Sequence, residues 1–370
     1  MRITDIRAYT LSAPLEKPWK IAGLVMAEMT ATIVEVEVDH GLIGYGEALT
    51  RLGPSATREV VTSILKPVLV GADPMDVDVL WERMFSTMKS RGHWKGFMIE
   101  AISGVDIALW DIIGKALNQP VSRLLGGRHH EKLEAYASSI MLMDRAEMVR
   151  EAQDLVHRGY KKIKVKLGLG VETDFGNIQA IRDAVGPEIG IMLDANSGYT
   201  VEGALRLGMM LEPLNILWLE EPVPPYDLEG YARLSEALRI PVVGGESEFT
   251  RWGFRDLILR GKVSVIQPDI ARCGGFTEGR KIAALAGAHG VPVAPHTGAS
   301  GAVSIAAAVH YASSLSNLYL YEHMYTENPL RQGILKEPVL DCQMGWVQVP
   351  SGPGLGIELD RDKIKGYLRA

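Results

Sequence analysis

Between Lys166 and Glu322 the chain places one ionisable residue at the end of each of seven short apolar runs. The residues are Lys166, Asp194, Glu220, Glu246, Asp269, His296 and Glu322, separated by 28, 26, 26, 23, 27 and 26 positions. The runs read IKVK, IMLDAN, ILWLEEP, PVVGGE, VIQPD, VPVAPH and LYLYE. A strand and its return helix need roughly this many residues. The spacing therefore predicts one ionisable group at the C-terminal end of each successive parallel strand. In a (β/α)8 barrel those ends converge on the face that carries the active site.

The texture on either side fits a three-part chain. Residues 2–11 and 31–38 read as strands of an antiparallel sheet, with the glycine-punctuated HGLIGYGE after them as turn and return strand. Helical stretches follow near 55–71, 76–89 and 97–118. Pro120 and Gly126-Gly127 close this α+β region, taken as residues 1–125. From Leu133, LEAYASS begins an alternation of strand and helix that predicts a parallel sheet with helices outside it, over 126–340. An open doubly wound sheet is the competing fold, but Gly168 and Gly170 lack the third glycine of a dinucleotide fingerprint. Residues 341–370 leave the pattern and are expected to pack back on the first region.

A length of 370 residues suits one large barrel plus a smaller domain. The net charge of -6 and the absence of a basic cluster argue against nucleic acid as a partner. No apolar run approaches the roughly 20 residues of a membrane span. Cys273 and Cys342 form no disulfide framework, and MRITDIRAYTLSAP carries no signal-peptide core. The expectation is a cytoplasmic protein of a reducing compartment.

Asp194, Glu220 and Glu246 supply three carboxylates from three consecutive strand ends, a donor set for a hard cation, Mg2+ first and Mn2+ second. Zinc is disfavoured because no histidine joins the three. Lys164 and Lys166 alternate onto one face of their strand. Crowding between two ammonium groups lowers a lysine pKa toward the range of a general base. Lys166, nearer the strand end, is assigned as that base. Lys164 is assigned to the substrate carboxylate. His296 follows Asp269 by one strand, close enough for the acid to fix the imidazole tautomer. Glu322 is expected to hydrogen-bond at the substrate carboxylate, and Asn196 to touch substrate or water. There is no H-x-H and no G-x-S-x-G, which disfavours metal-hydrolase and serine-hydrolase chemistry. Asp106 and Asp111 read as structural.

These features together resemble the enolase superfamily, mandelate racemase subgroup. The resemblance rests on Lys164-Val165-Lys166, Asp194-Ala195-Asn196, Glu220-Glu221-Pro222, Gly245-Glu246, Gln267-Pro268-Asp269 and Pro295-His296, with DHGLIGYGEA, SGVDIALWDIIGKAL and SGPGLGIELD outside the barrel. It covers nearly the whole chain. It implies an α/β fold, a modified (β/α)7β barrel under an N-terminal α+β capping domain. It also implies Mg2+ on Asp194, Glu220 and Glu246, with Lys166 and the His296–Asp269 dyad as two acid/base catalysts.

The step implied is removal of the proton α to a carboxylate. Loss of the β-hydroxyl then gives a 2-keto-3-deoxy acid, the product of an acid-sugar dehydratase. Return of a proton to carbon makes a racemase or epimerase, and lactone cycloisomerisation is a third outcome. A sugar-acid-binding protein without catalysis is the alternative of a different class. Substrate choice is expected in capping loops, LEKPWKIAGLVM with Trp19 and Lys20, LTRLGPS with Arg51, and SRGHWKGF with His93 and Lys95. Their cations suggest a polyhydroxy acid, and a diacid if a far carboxylate meets Arg51 or Lys20. The resemblance also suggests a symmetric homo-oligomer.

Overall fold

A computed structural model describes residues 1–369. The first region is a three-stranded antiparallel sheet, β1 (Ile3–Ile21), β2 (Leu24–Val38) and β3 (Ile43–Ala48), covered by the helix Phe97–Ala116. Glycine is required where this helix meets β3. A Cβ on Gly44 would stand 2.2 Å from the Ala108 carbonyl oxygen, and one on Gly46 would stand 1.8 Å from that of Gly104. The backbones approach too closely for any side chain.

β1 and β2 run further than the sequence suggests. The segment expected as a capping loop is the distal half of this hairpin. Pro14 and Pro18 interrupt the alternation, and the register shifts between Pro14 and Trp19. Pairing then resumes as Trp19↔Met26, Lys20↔Val25 and Ile21↔Leu24. The single helix expected over 55–71 is a helix with a π segment at Val60–Leu65.

The second region is a parallel barrel. β4 (Lys132–Ile140), β5 (Lys162–Lys166), β6 (Gly190–Asp194), β7 (Ile216–Glu220), β8 (Val242–Gly244) and β9 (Val265–Ile266) pair in sequence order. The seventh position, expected as the strand VPVAPH, is a single bridging residue, Val293, between Ile266 and Leu318. The chain continues from Leu318 into β10 (Tyr321–Met324), which pairs parallel with β4 and closes the ring. Tyr136, Met192, Trp218, Val243, Val265, Ala294 and Leu320 form a separate buried cluster that fills the interior. This is the layered side-chain packing of a closed barrel.

The last residues contact both regions. β11 (Cys342–Gln343) and β12 (Trp346–Gln348) form a hairpin on the start of β4. Beyond it Leu11 bridges Leu368, and Asp111 accepts from the Leu355 N–H at 2.9 Å. No helix among the described residues is long and apolar enough to cross a membrane.

Candidate active site

Parallel register assembles the site. Lys166 pairs with Asp194, and Asp194 with Glu220, so three strand-end residues stand side by side. Glu246 follows β8 after Gly245, whose φ of +127° turns the chain inward. Asp269 and His296 follow β9 and the Val293 bridge, and Glu322 lies on β10. Non-glycine residues just beyond these ends hold left-handed backbone: Asn196 at φ 41°, Ser197 at 62°, Glu221 at 39° and Ala299 at 60°. Each carries a strain of roughly 1 kcal/mol or more. They sit where the chain must turn sharply out of the barrel mouth.

Carboxylate oxygens of Asp194, Glu220 and Glu246 lie within 4.8 Å of one another, and all three residues are buried. An all-oxygen set of this spacing fits a hard divalent cation. The charge balance agrees. Asp269, Glu221 and Glu322 bring the buried carboxylates to six, against Lys164, Lys166, Arg51 and His296. Burial, opposed by Lys164 and reinforced by Asp194, pushes Glu220 up to about 7. Burial and the charges of Glu246 and Asp194 push Glu221 up to about 8. Negative charge is in excess where the triad sits.

The two catalytic candidates stand at opposite ends of the carboxylate row. Lys166 donates to Asp194 at 2.5 Å. His296 Nε2 is 3.2 Å from Glu246, and Nδ1 is 2.8 Å from Asp269. Burial works to lower the His296 pKa, but Glu246, Glu322 and Asp269 raise it to about 10. Burial works to raise Glu246, but Arg51 and His296 hold it well below the usual carboxylate range. Glu322 is likewise held low by Lys164 and His296 against its burial, and it accepts from the Thr297 N–H at 2.6 Å.

Lys164 departs from the expected geometry. Two positions along β5 is also one layer down a barrel, so Lys164 registers with Met192 rather than with Asp194. Its ammonium lies 2.7 Å from Glu220, 2.7 Å from Glu322 and 3.6 Å from Asp194. It is 1% exposed and does not line the cavity. Burial works to lower its pKa, but Glu220 and Glu322 hold it well above the ordinary value. Lys164 therefore stays charged beside Lys166, the lysine that the expected crowding was to serve, and the two ammonium groups share Asp194 Oδ2.

The capping-region cations also differ from expectation. Arg51 reaches the barrel mouth but is paired with Glu246 at 2.5 Å. Lys95 is paired with Glu248 at 2.6 Å. Lys20 is exposed and lines an outer cavity of about 1140 Å³. The inner cavity is about 30 Å³, room for only a few waters. Lys166, Asn196, Arg51, Glu246, His296 and Glu322 line it.

Ser138, Met26, Met141 and Met324 also line the inner cavity and were not read from the sequence. Ser138 shares a face of β4 with Tyr136, so strand period could have marked it. Its Oγ is buried without a hydrogen-bond partner, as are Asn196 Oδ1 and Trp19 Nε1.

The family model for the N-terminal domain of mandelate racemase / muconate lactonizing enzyme matches residues 4–126, and that for the enolase C-terminal domain-like fold matches 147–363. D-galactarolactone cycloisomerase of Agrobacterium fabrum is 39% identical, with 99% of each chain aligned. Arabinonate dehydratase of Saccharolobus solfataricus is 36% identical over 98% of each. The crystal structure of 3,6-anhydro-D-galactonate cycloisomerase from Zobellia galactanivorans superposes with a TM-score of 0.91 at 36% identity, covering both chains fully.

Proposed function

Because the chain belongs to the mandelate racemase / muconate lactonizing enzyme family of the enolase superfamily, we propose that this enzyme is a Mg2+-dependent acid-sugar dehydratase. The observation that carries the reading is the pairing of two acid/base groups, Lys166 and the His296–Asp269 dyad, at the two ends of one buried three-carboxylate row.

Asp194, Glu220 and Glu246 would hold the cation. When bound, Mg2+ supplies Lewis-acid stabilisation of charge growing on the substrate carboxylate. Lys166 takes the proton from the α-carbon, and the C–H electrons move into the carboxylate as an enediolate. Lys164 stays charged one layer beneath, where that growing charge is felt. His296, its tautomer fixed by Asp269, then gives a proton to the β-hydroxyl as the C–O bond breaks, and water leaves. The enol that remains becomes the 2-keto-3-deoxy acid. Asn196 and Glu322 hold substrate oxygens at the cavity wall. Substrates of opposite α-configuration exchange the roles of Lys166 and His296.

A second reading, lactone cycloisomerisation through the same enediolate, is favoured by the two cycloisomerases among the similar proteins. The reading further includes a cytoplasmic setting, supported by free thiols at Cys273 and Cys342. A homo-oligomer belongs to it by family likeness and is checked by light scattering.

Proton NMR in D2O tests the proposal, with pooled aldonic and aldaric acids and their lactones, protein and Mg2+. Dehydration gives substrate loss and a deuterated 3-methylene signal. A ring-opened acid or new epimer assigns the isomerase reading instead. No exchange at any α-carbon, with Mg2+ or Mn2+, overturns both.

A further inference from the structure

Resting on the acid-sugar reading above, we infer that this site selects a singly charged acid: one carboxylate at the barrel end and an uncharged, C–H-rich far end against the β1–β2 hairpin. Free diacids are excluded. The inner cavity, at about 30 Å³ too small to hold a sugar acid until substrate parts its walls, has two unlike halves. The barrel half carries the charged groups and the unpartnered Ser138 Oγ and Asn196 Oδ1. The far half is made by Trp19, Ile21 and Met26 from the hairpin, with Met141 and Met324 at the ends of β4 and β10.

No residue lining the far half is charged; Arg331, whose guanidinium stands 6.0 Å from the Trp19 ring centroid, does not line the cavity. Among the described residues lining the inner cavity the basic groups are Arg51, Lys166 and His296, and each belongs to the barrel end, beside Glu246 at 2.5 Å, Asp194 at 2.5 Å and Asp269 at 2.8 Å. Lys17 and Lys20 line only the outer cavity, which shares Trp19, Ile21 and Met141 with the inner one. The polar atom the hairpin does present is the indole N–H of Trp19, a residue 2% exposed whose Nε1 has no partner. One neutral donor satisfies a hydroxyl, ether or lactone oxygen. It does not balance a buried charge, which needs a counter-ion as well as hydrogen bonds. Trp19 and Met26 are cross-strand partners, so one hairpin rung sets this selectivity.

The experiment compares aldonates with the aldarates that share their stereocentres, each pair differing only in a terminal CH2OH or carboxylate. The wild-type enzyme is expected to favour the monoacid in kcat/KM by about 100-fold or more. Met26→Lys, checked for unchanged thermal unfolding, is expected to raise turnover of the matching aldarate by about 10-fold and lower that of the monoacid. Trp19→Phe is expected to lower monoacid kcat/KM by about 10-fold through loss of the donor. An aldarate turned over within 10-fold of its monoacid, or better, overturns the inference and leaves the acid-sugar reading standing. No α-proton exchange with any pair overturns the acid-sugar reading and this inference with it.

Discussion

Arg51 Nη2 stands 2.5 Å from Glu246 Oε1, joining residues 195 positions apart across the capping region and the barrel. The guanidinium therefore neutralises one member of the acidic triad. A bound cation would share Glu246 with it, and like charges so placed oppose each other. Arg51→Gln is expected to tighten Mg2+ binding roughly three- to tenfold, the range of a ~1 kcal/mol change. Titration calorimetry without substrate reads this directly. Weaker binding would mean that Arg51 chiefly holds Glu246 in position.

Lys166 and His296 are separable by isotope exchange. For a substrate of one α-configuration, loss of the base abolishes both exchange and turnover. Loss of the acid abolishes turnover but leaves α-proton exchange in D2O. Lys166→Ala and His296→Asn are each expected to lower kcat by about 10³-fold, with exchange surviving in only one of them. Asp269→Asn should resemble a milder His296 variant, about 10²-fold down, because the 2.8 Å bond from Nδ1 no longer meets a charge. Exchange at wild-type rate in both single variants would remove these residues from proton transfer.

The acidic row was legible because parallel pairing converts a near-constant sequence period into spatial adjacency, as Lys166, Asp194 and Glu220 show. Other parts were not legible for physical reasons. Alternation places Lys164 and Lys166 on one face but says nothing of depth, and depth gives Lys164 Glu220 and Glu322 as partners besides the Asp194 oxygen it shares with Lys166. Prolines at 14 and 18 hide a hairpin whose pairing recovers at Trp19↔Met26. The run VPVAPH marks the seventh barrel position, but Pro292 and Pro295, which lack an N–H, flank Val293 and leave it only isolated bridges. Pairing of Arg51 with Glu246 depends on how the two regions dock, and cations counted along a loop do not reveal it.

Glu47 ties the capping sheet to the loop that carries His296. From β3 it accepts the Gly301 N–H at 2.7 Å and the Ser304 N–H at 3.0 Å, at the start of the helix Ala302–Ser314. Both are donors that the helix cannot satisfy itself. Glu47→Ala leaves them buried without a partner and should cost about 2–4 kcal/mol of stability. It should also lower kcat more than it raises KM, since the stretch from His296 to Ser300 loses its anchor. Glu47→Gln keeps one acceptor and should recover part of both losses. Denaturant unfolding with steady-state kinetics on the two variants checks this. Lost stability with unchanged kcat would make the anchor structural only.

His310 sets an acid limit on stability. It is fully buried, with Nε2 3.0 Å from the Leu355 carbonyl and Nδ1 accepting the Ser122 N–H at 3.3 Å. That fixes the neutral tautomer with the proton on Nε2, since a proton on Nδ1 would face another N–H. Burial, with Arg128 nearby, lowers its pKa to about 4, whereas the unfolded chain has the ordinary 6.5. Between those values the unfolded state binds the extra proton. The neutral form's contribution is therefore complete above pH ~6.5 and is lost as pH falls toward ~4. The gap corresponds to roughly 3 kcal/mol. His310→Gln, which keeps a donor and an acceptor but does not titrate, should lose less stability than wild type over this window by about that amount. His323, lowered to about 4 by burial, titrates in the same range but is common to both proteins and cancels in the difference. Urea unfolding at pH 7, 5.5 and 4 measures it. Parallel losses in the two proteins would show that His310 takes up its proton at the same pH in the folded and unfolded states.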